Sequence, residues 1–220
     1  LIKIGMCVMV MILLLNLRSF PGVIMVLMVI VFSLVSMMGF MGWVYNITGS
    51  DQFLFALLNT SMPIILLTIA NSDGVHVVTK FFREMRSGKN VKTAVASTMD
   101  SLLIPIFLTS ITTIAAFLTM ISSPLEPLFG YGFCISVGIG WAWFLSSLML
   151  PAVISLKKWD HKSRAIAQAS VFEMLVGRLG EVVLKYPKYV FSIGLLLVFF
   201  GLAGFYNITV DVNVASFFKP

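Results

Sequence analysis

Long apolar runs separated by short polar stretches dominate this chain. A helix needs roughly 20 predominantly apolar residues to cross the hydrocarbon core of a bilayer. Six segments approach or exceed that length, and they cover residues 1–15, 21–44, 53–82, 101–122, 128–156 and 189–206. The pattern predicts an all-α fold: a polytopic transmembrane helical bundle with about six spans. Because the first segment is slightly short and the chain does not begin with Met, we expect a fragment of a longer protein.

The third apolar segment is longer than one crossing requires. Counting back about 20 residues from the basic residue Arg83 reaches Pro63. Residues 53–62 are therefore expected to form a separate outer or interfacial helix. This register places Asp73 about 10 residues, or roughly 15 Å at 1.5 Å per residue, from the inner boundary, near the middle of the membrane.

Composition supports a membrane location. Hydrophobic residues make up 59% of the chain, charged residues make up 11%, and the mean hydropathy is +1.02. The net charge of +6 raises the alternative of a nucleic-acid partner. We expect no nucleic acid, because the basic residues lie in short loops between apolar spans, where anchoring at the cytoplasmic surface explains them.

The distribution of basic residues predicts the orientation. Of the fifteen Lys and Arg, all but Lys3 and Lys219 lie in three clusters, which alternate with loops that carry Asp51, Glu126 and Asp211. The clusters are Arg18; Lys80, Arg83, Arg86, Lys89 and Lys92; and Lys157, Lys158, Lys162, Arg164, Arg178, Lys185 and Lys188. By the positive-inside rule the basic clusters are cytoplasmic and the acidic loops are outside. Between Lys80 and Ser101 we expect a short interfacial helix that leads into the fourth span.

Metal and redox sites are not indicated. Cys7 and Cys134 both lie in apolar segments without CxxC spacing, and the chain has no HExxH motif. His161, the second histidine beside His76, lies in a cytoplasmic stretch. We therefore expect no metal site and no intramembrane metalloprotease or other enzymatic activity.

Small residues recur every four positions in the fifth apolar segment, at Cys134, Gly138, Ala142 and Ser146. This small-xxx-small pattern lets two helix backbones approach closely. We interpret it as a helix-packing face, with a substrate groove as the alternative.

The fourth segment carries a face rich in hydroxyl groups, formed by Thr109, Ser110, Thr112, Thr113 and Thr119. Such hydroxyls often donate to carbonyls of their own helix, which is a structural explanation. The functional alternative is that they support a buried acid, which needs hydrogen-bonding neighbours.

Asp73 is the most informative residue, since it lies in a stretch otherwise apolar enough to span the membrane. A carboxylate near the bilayer centre costs about 2.5–3.5 kcal/mol on insertion scales, and such acids usually mark an ion or proton path. Asn71 and Ser72 precede it, and we include them in the supporting polar face with Thr109, Thr112 and Thr113. His76 follows three residues later and so lies near Asp73 on the helix surface. It is interpreted either as a packed histidine or as a second titrating member of a proton relay.

Residues 69–88, Ile-Ala-Asn-Ser-Asp-Gly-Val-His-Val-Val-Thr-Lys-Phe-Phe-Arg-Glu-Met-Arg-Ser-Gly, resemble the fourth transmembrane helix of resistance-nodulation-division (RND) superfamily exporters of the MMPL and Patched-like type. Residues 94–105, 108–118 and 129–152 resemble the cytoplasmic helix, the fifth helix and the sixth helix of that family. The resemblance extends over nearly the whole chain.

The resemblance implies half of an RND-type transmembrane domain. Its parts would be a five-helix unit of the MMPL or sterol-sensing type, equivalent to helices two to six (1–156), a basic cytoplasmic linker (157–188), the helix that opens the second repeat (189–207) and the start of an extracytoplasmic domain (208–220).

For activity, the resemblance implies export of hydrophobic or amphiphilic small molecules or lipids, driven by proton antiport, with Asp73 in the proton relay. Protons are then the coupling ion, and no other cofactor is expected. Gly74 follows the acid where many relatives have Tyr, whereas His76 matches a histidine that some relatives carry. The implied partners are membrane lipids and the missing second half of the same protein, with a homo-oligomer left open. The implied location is the bacterial inner (plasma) membrane.

A lipid-sensing or sterol-sensing regulatory module without transport is the alternative from another class. It differs from an exporter in one testable respect: neutralising Asp73 should leave the output of a regulator intact.

Overall fold

The computed structural model describes residues 2–53, 57–161, 163–168 and 170–205. These residues are predominantly helical, and none of them forms a β-strand. The α-helices are α1 (Ile2–Leu17), α2 (Phe20–Thr48), α3 (Met62–Arg86), α4 (Val91–Leu118), α5 (Glu126–Phe144), α6 (Leu150–Leu156), α7 (Arg164–Ala167), α8 (Val171–Lys185) and α9 (Pro187–Phe205). The predicted all-α polytopic bundle is thus confirmed.

Five helical stretches of the described residues are long and apolar enough to cross a membrane. They are Phe20–Thr48, Asn59–Arg86, Val91–Ser122, Pro127–Leu156 and Pro187–Phe205. The first predicted span corresponds to α1, which has 16 residues and falls short of that length.

Helices α2, α3, α4 and α5 form the bundle, in which α3 and α5 each contact the other three helices. The four small residues predicted to form a packing face, Cys134, Gly138, Ala142 and Ser146, are all buried. A Cβ added at Gly138 would lie 2.9 Å from Met37 Sδ on α2 and 3.1 Å from Leu66 Cδ2 on α3. The glycine therefore lets α5 approach both of these helices closely.

The start of α5 is fitted to its neighbours by a Gly-Tyr-Gly sequence. A Cβ at Gly130 would lie 1.9 Å from the carbonyl oxygen of Gln52, and one at Gly132 would lie 2.4 Å from the carbonyl oxygen of Phe117. Between them, the hydroxyl of Tyr131 is hydrogen-bonded to Ser61 Oγ at 2.8 Å. Two close backbone approaches and a side-chain hydrogen bond thus fix α5 against the residues before α3 and the end of α4.

Helix α4 differs from its prediction. One continuous helix of 28 residues replaces the predicted short interfacial helix and separate span. It begins where Asn90 Oδ1 accepts a hydrogen bond from the backbone N–H of Thr93, at 2.9 Å. No glycine or proline interrupts the chain between Val91 and Ile104, and Pro105 lies inside the helix without ending it.

The segment before α3 is separate from that helix, as predicted, and its described residues form 3-10 turns. These are Asp51–Phe53 and Leu57–Ser61, with residues 54–56 outside the described part. Ser61 has a helical conformation, and α3 begins at Met62, followed by Pro63 in its first turn.

The chain after α6 packs against the C-terminal end of α3. Trp159 lies with its ring 5.4 Å from that of Phe81 and 5.5 Å from that of Phe82, and its Nε1 donates to the carbonyl of Ile154. Arg86 Nε donates to the carbonyl of Ile166 at 2.9 Å. The first part of the predicted linker is therefore ordered by contacts with α3.

The described residues from Phe172 to Phe205 belong to a second compact unit. Its helices α8 and α9 are separated by Tyr186, whose N–H donates to the carbonyl of Val182 at 2.9 Å. Helix α8 lies within the predicted linker, and every residue of α9 is exposed. The predicted extracytoplasmic segment at 208–220 lies outside the described residues.

Candidate functional site in the groove between α3 and α4

Asp73 is buried in the middle of α3, with 7% of its surface exposed. The next residue, Gly74, faces α2, because a Cβ added there would lie 3.1 Å from Val26 Cγ1. Position 74, where many of the exporters that this chain resembles carry Tyr, therefore packs into the bundle. It does not line the cavity described below.

A cavity of about 410 Å³ lies between α3 and α4 and includes Asp73 in its wall. The residues that line it from α3 are Thr68, Ile69, Ser72, Asp73 and His76, and those from α4 are Leu102, Pro105, Ile106, Thr109, Ser110 and Thr113. The wall combines apolar side chains with one acid, one imidazole and several hydroxyl groups. Such a surface can hold water beside an ionisable group within an otherwise apolar bundle.

Two polar side chains of this wall lack hydrogen bonds. Asp73 Oδ2 and Ser110 Oγ are buried and have no hydrogen-bond partner among the described residues. A buried polar atom left in this state costs free energy, and native structures usually satisfy it with water, an ion or another protein group. The cavity is therefore a place where a water molecule or a polar group from elsewhere would be held.

The threonines of the hydroxyl-rich face, in α4 and directly after it, donate to carbonyl groups of α4. Thr109, Thr112, Thr113 and Thr119 each bond to a carbonyl oxygen three or four positions earlier, at 2.6–2.9 Å. The hydroxyl hydrogens of these threonines are therefore used in bonds to the helix backbone, as the structural explanation of this face predicts. Their oxygens keep lone pairs, so Thr109 and Thr113 can still accept hydrogen bonds from a protonated carboxyl group or a water in the cavity.

The predicted site residues are only partly brought together. Asp73, Ser72, His76, Thr109 and Thr113 line the same cavity. Asn71 and Thr112 do not contribute to its lining, although Asn71 Oδ1 is itself buried without a hydrogen-bond partner among the described residues. His76 is exposed on the side of α3 that faces the cavity.

Sequence reasoning did not assign Thr68 to the site, and it named Ser110 in the hydroxyl-rich face without including it in the supporting polar face. Thr68, Ser72 and His76 follow one another at intervals of four, a spacing that places residues on the same helix face. That periodicity was available in the sequence as a signal for Thr68. Ser110 belongs to the hydroxyl-rich stretch of α4, and what distinguishes it from the neighbouring threonines is its burial at 3% exposure.

A metal centre is not formed by the described residues, because none of them belong to a group of three or more His, Cys, Asp or Glu side chains that could hold an ion. The buried Cys134 is a free thiol on the packing face of α5. The polar chemistry of the cavity therefore comes from the carboxyl, imidazole and hydroxyl groups alone.

Comparison with known protein families gives a match to the model of the MMPL family over residues 1–189. The chain belongs to the MMPL family. No curated protein and no solved structure shows significant similarity to it.

MMPL family proteins are membrane transporters of the RND superfamily, so the predicted family relationship is confirmed. Together with five helices of spanning length, membership identifies an integral, multi-pass membrane protein. The match covers the α2–α5 bundle and its Asp73 cavity, and it extends through the segment after α6 to the start of α9.

Proposed function

We propose that this MMPL family chain takes part in proton-driven export of hydrophobic or amphiphilic molecules, such as lipids or drugs, and that Asp73 is the residue that binds and releases the coupling proton. The observation that carries the proposal is the Asp73 carboxyl group, buried mid-helix with Oδ2 unpartnered among the described residues, in the wall of a cavity that α3 and α4 share.

The energetics explain why proton binding would be coupled to movement. An ionised carboxylate is costly in an apolar membrane interior, whereas its protonated form is far less so. The ionised form is favoured when water or a cation reaches the cavity, and the neutral form is favoured when the cavity closes. Each proton taken up or released therefore changes the relative stability of two arrangements of α3 and α4, which is the requirement for coupling.

Much of α4 is exposed, which leaves space for a second set of helices. Its buried residues are Ala94, Thr98, Ile106 and Ser110, and the rest of the helix is at least partly accessible. In the proposed exporter the second half of the protein covers this side of the groove and supplies the groups that complete the relay. His76, which lines the cavity one turn after Asp73, is proposed as a second proton-binding group.

The test is gradient-dependent efflux of an amphiphilic dye from vesicles that contain the complete protein, for the wild type and for Asp73→Asn at matched protein levels. Asn is nearly isosteric with Asp and removes the buried charge, so we expect folding and insertion to persist and export to be abolished. The matched control is Asp100→Asn, which makes the same change on an exposed position of α4 outside the cavity and should export normally.

Substantial export by Asp73→Asn would show that Asp73 is structural and that the mechanism is wrong. Retention of a regulatory output by that variant, with no gradient-dependent export by the wild type, would instead favour the lipid-sensing or sterol-sensing alternative. His76→Ala is expected to lower export less than Asp73→Asn does. The bacterial inner membrane is the location that we propose for this activity.

A further inference from the structure

A second cavity lies at the cytoplasmic end of the bundle, away from Asp73. It has a volume of about 340 Å³ and lies between the start of α2 and the segment that follows α6. Its wall includes Arg18, Ser19, Lys157, Lys158, Trp159 and Asp160. The proton-relay proposal makes no use of this cavity.

The depth of the cavity in the membrane follows from the two membrane-spanning stretches beside it, which contain α2 and α6. Helix α2 begins at Phe20, directly after Ser19, and α6 ends at Leu156, directly before Lys157. Both flanking side chains are apolar and open to the surroundings, Phe20 at 69% and Leu156 at 85% exposure. The cavity therefore lies where hydrocarbon gives way to lipid headgroups, a level at which Trp side chains such as Trp159 are typical.

The charges of the wall favour an anion. Three cationic side chains, Arg18, Lys157 and Lys158, stand against the single carboxylate of Asp160. Arg18 and Asp160 each make further interactions within the chain, and Lys157 Nζ lies 5.5 Å above the ring of Trp159. Lys157 is half-buried, and Lys158 is exposed at the rim. Two lysines are thus placed to receive an anionic group in addition to any contribution from the arginine.

The first turn of α2 adds to this preference. Ser19 is its N-cap, accepting from the N–H of Gly22 at 3.2 Å, and lines the cavity. The N-terminus of a helix carries a partial positive charge that attracts phosphate groups, and α2 is 29 residues long. A neighbouring cavity of about 480 Å³, lined by Arg18, Arg164 and Gln168, extends the basic surface.

We propose that the cavity between Ser19 and Lys158 binds the phosphate of an anionic phospholipid from the cytoplasmic leaflet. A free phosphate ion from the cytoplasm would be bound only by the cationic side chains of the cavity. A phospholipid also places its acyl chains against the exposed Phe20 and Leu156. The bound lipid would connect the start of α2 with the segment whose Trp159 packs on Phe81 and Phe82, and so stabilise the docking of that segment on α3.

The experiment measures binding of fluorescent phosphatidylglycerol to the complete protein in phosphatidylcholine nanodiscs. Lys157→Gln/Lys158→Gln is compared with Lys92→Gln/Lys188→Gln, which removes two positive charges from the predicted cytoplasmic side but outside the cavity. Juxtamembrane basic residues contribute about 1 kcal/mol each to anionic lipid binding, so the first variant should bind about tenfold or more weakly than wild type and the control should change less. The single variant Lys158→Gln, at the rim of the cavity, replaces the double variant if the latter is unstable.

If both double variants weakened phosphatidylglycerol binding equally, the proposal would be overturned. That result would show that the lipid is attracted only by the overall positive charge of the surface. Displacement of the lipid by millimolar inorganic phosphate would also overturn it, in favour of a site for a soluble anion. Selective loss in the Lys157/Lys158 variant, with no effect of inorganic phosphate, supports the lipid site. The result is independent of export by Asp73 variants, so either proposal can fail without the other.

Discussion

Glu84 in the last turn of α3 accepts a hydrogen bond from Lys89 Nζ at 2.5 Å. The same carboxylate accepts from Ser97 in α4 at 3.1 Å and forms an ion pair with Lys80 at 2.9 Å. The two helices that form the Asp73 groove are thus tied together where α3 ends and α4 begins, whereas no comparable ion pair joins them at the level of the cavity in the described residues.

We therefore predict that Glu84→Ala lowers the free energy of unfolding by about 1–2 kcal/mol, because three hydrogen-bonding neighbours lose a charged acceptor that is mostly shielded from solvent. Thermal unfolding of the purified protein measures the change. Glu181→Ala, in the exposed helix α8, removes the same group and is expected to leave the melting temperature unchanged. Equal effects of the two substitutions would contradict a structural tie between α3 and α4.

Ser110 is expected to support the acid across the groove. Its buried hydroxyl lines the cavity with Asp73, so Ser110→Ala should reduce proton-driven export several-fold while leaving the amount of folded protein unchanged. The matched control is Thr112→Ala on the same helix, since Thr112 lies outside the lining and donates to its own backbone. Dye efflux under an imposed pH gradient checks both variants, and normal export by Ser110→Ala would remove the serine from the relay.

The packing face of α5 allows a comparison of two glycines two positions apart. Gly138→Leu is predicted to destabilise the protein by about 1–3 kcal/mol, because its side chain would overlap Met37 and Leu66. At Gly140 an added Cβ would come no closer than 4.0 Å to another atom, so Gly140→Ala should be neutral or slightly stabilising. Expression level and melting temperature report the difference. If Gly138→Leu were as stable as wild type, this face would have room for a larger side chain.

Orientation in the membrane is testable with single cysteines introduced after replacement of Cys7 and Cys134. An impermeant thiol reagent applied to intact cells should label cysteines at Asn46, Glu126 and Asp211, because the basic clusters predict these loops to be outside. Cysteines at Lys89 and Lys162 should react only after permeabilisation. Labelling of position 89 in intact cells would mean that the topology is inverted.

Hydrophobic pattern was sufficient to predict the five long spans of the described residues, because helices in a bilayer must be long, apolar and internally hydrogen-bonded. The limits of α4 were harder to predict. Residues 91–100 have the polar composition of a surface helix, yet they continue into the span without a break, since backbone hydrogen bonding does not respond to where the hydrocarbon begins. Sequence composition marks the membrane boundary, and only the structure shows that one helix crosses it.

The residue types of the candidate site could be predicted from the sequence. Which of those residues face the groove was harder to predict, because that depends on how each helix is rotated about its axis. Asp73 stands out in the sequence because it is a lone acid in an apolar span. Asn71 was included because it is close in sequence, but two residues along a helix is a rotation of about 200°, which directs its side chain away from the groove. Ser110 and Thr112 are separated by the same rotation. Which hydroxyl of α4 faces Asp73 depends on how α4 packs on α3, and no single-sequence pattern determines that.

Pro105 lies in α4, in the wall of the Asp73 cavity. Proline has no backbone N–H, so the helix lacks the hydrogen bond that this position would otherwise donate to the carbonyl of Ser101. Helix α4 is held near its N-terminus by Glu84 and farther along by Ser136 Oγ, which donates to the carbonyl of Ile114 at 3.3 Å. Its bending stiffness is therefore lowest between two fixed points, at the depth of the carboxyl group, and the groove can widen there by flexing one wall without separating the ends of the two helices.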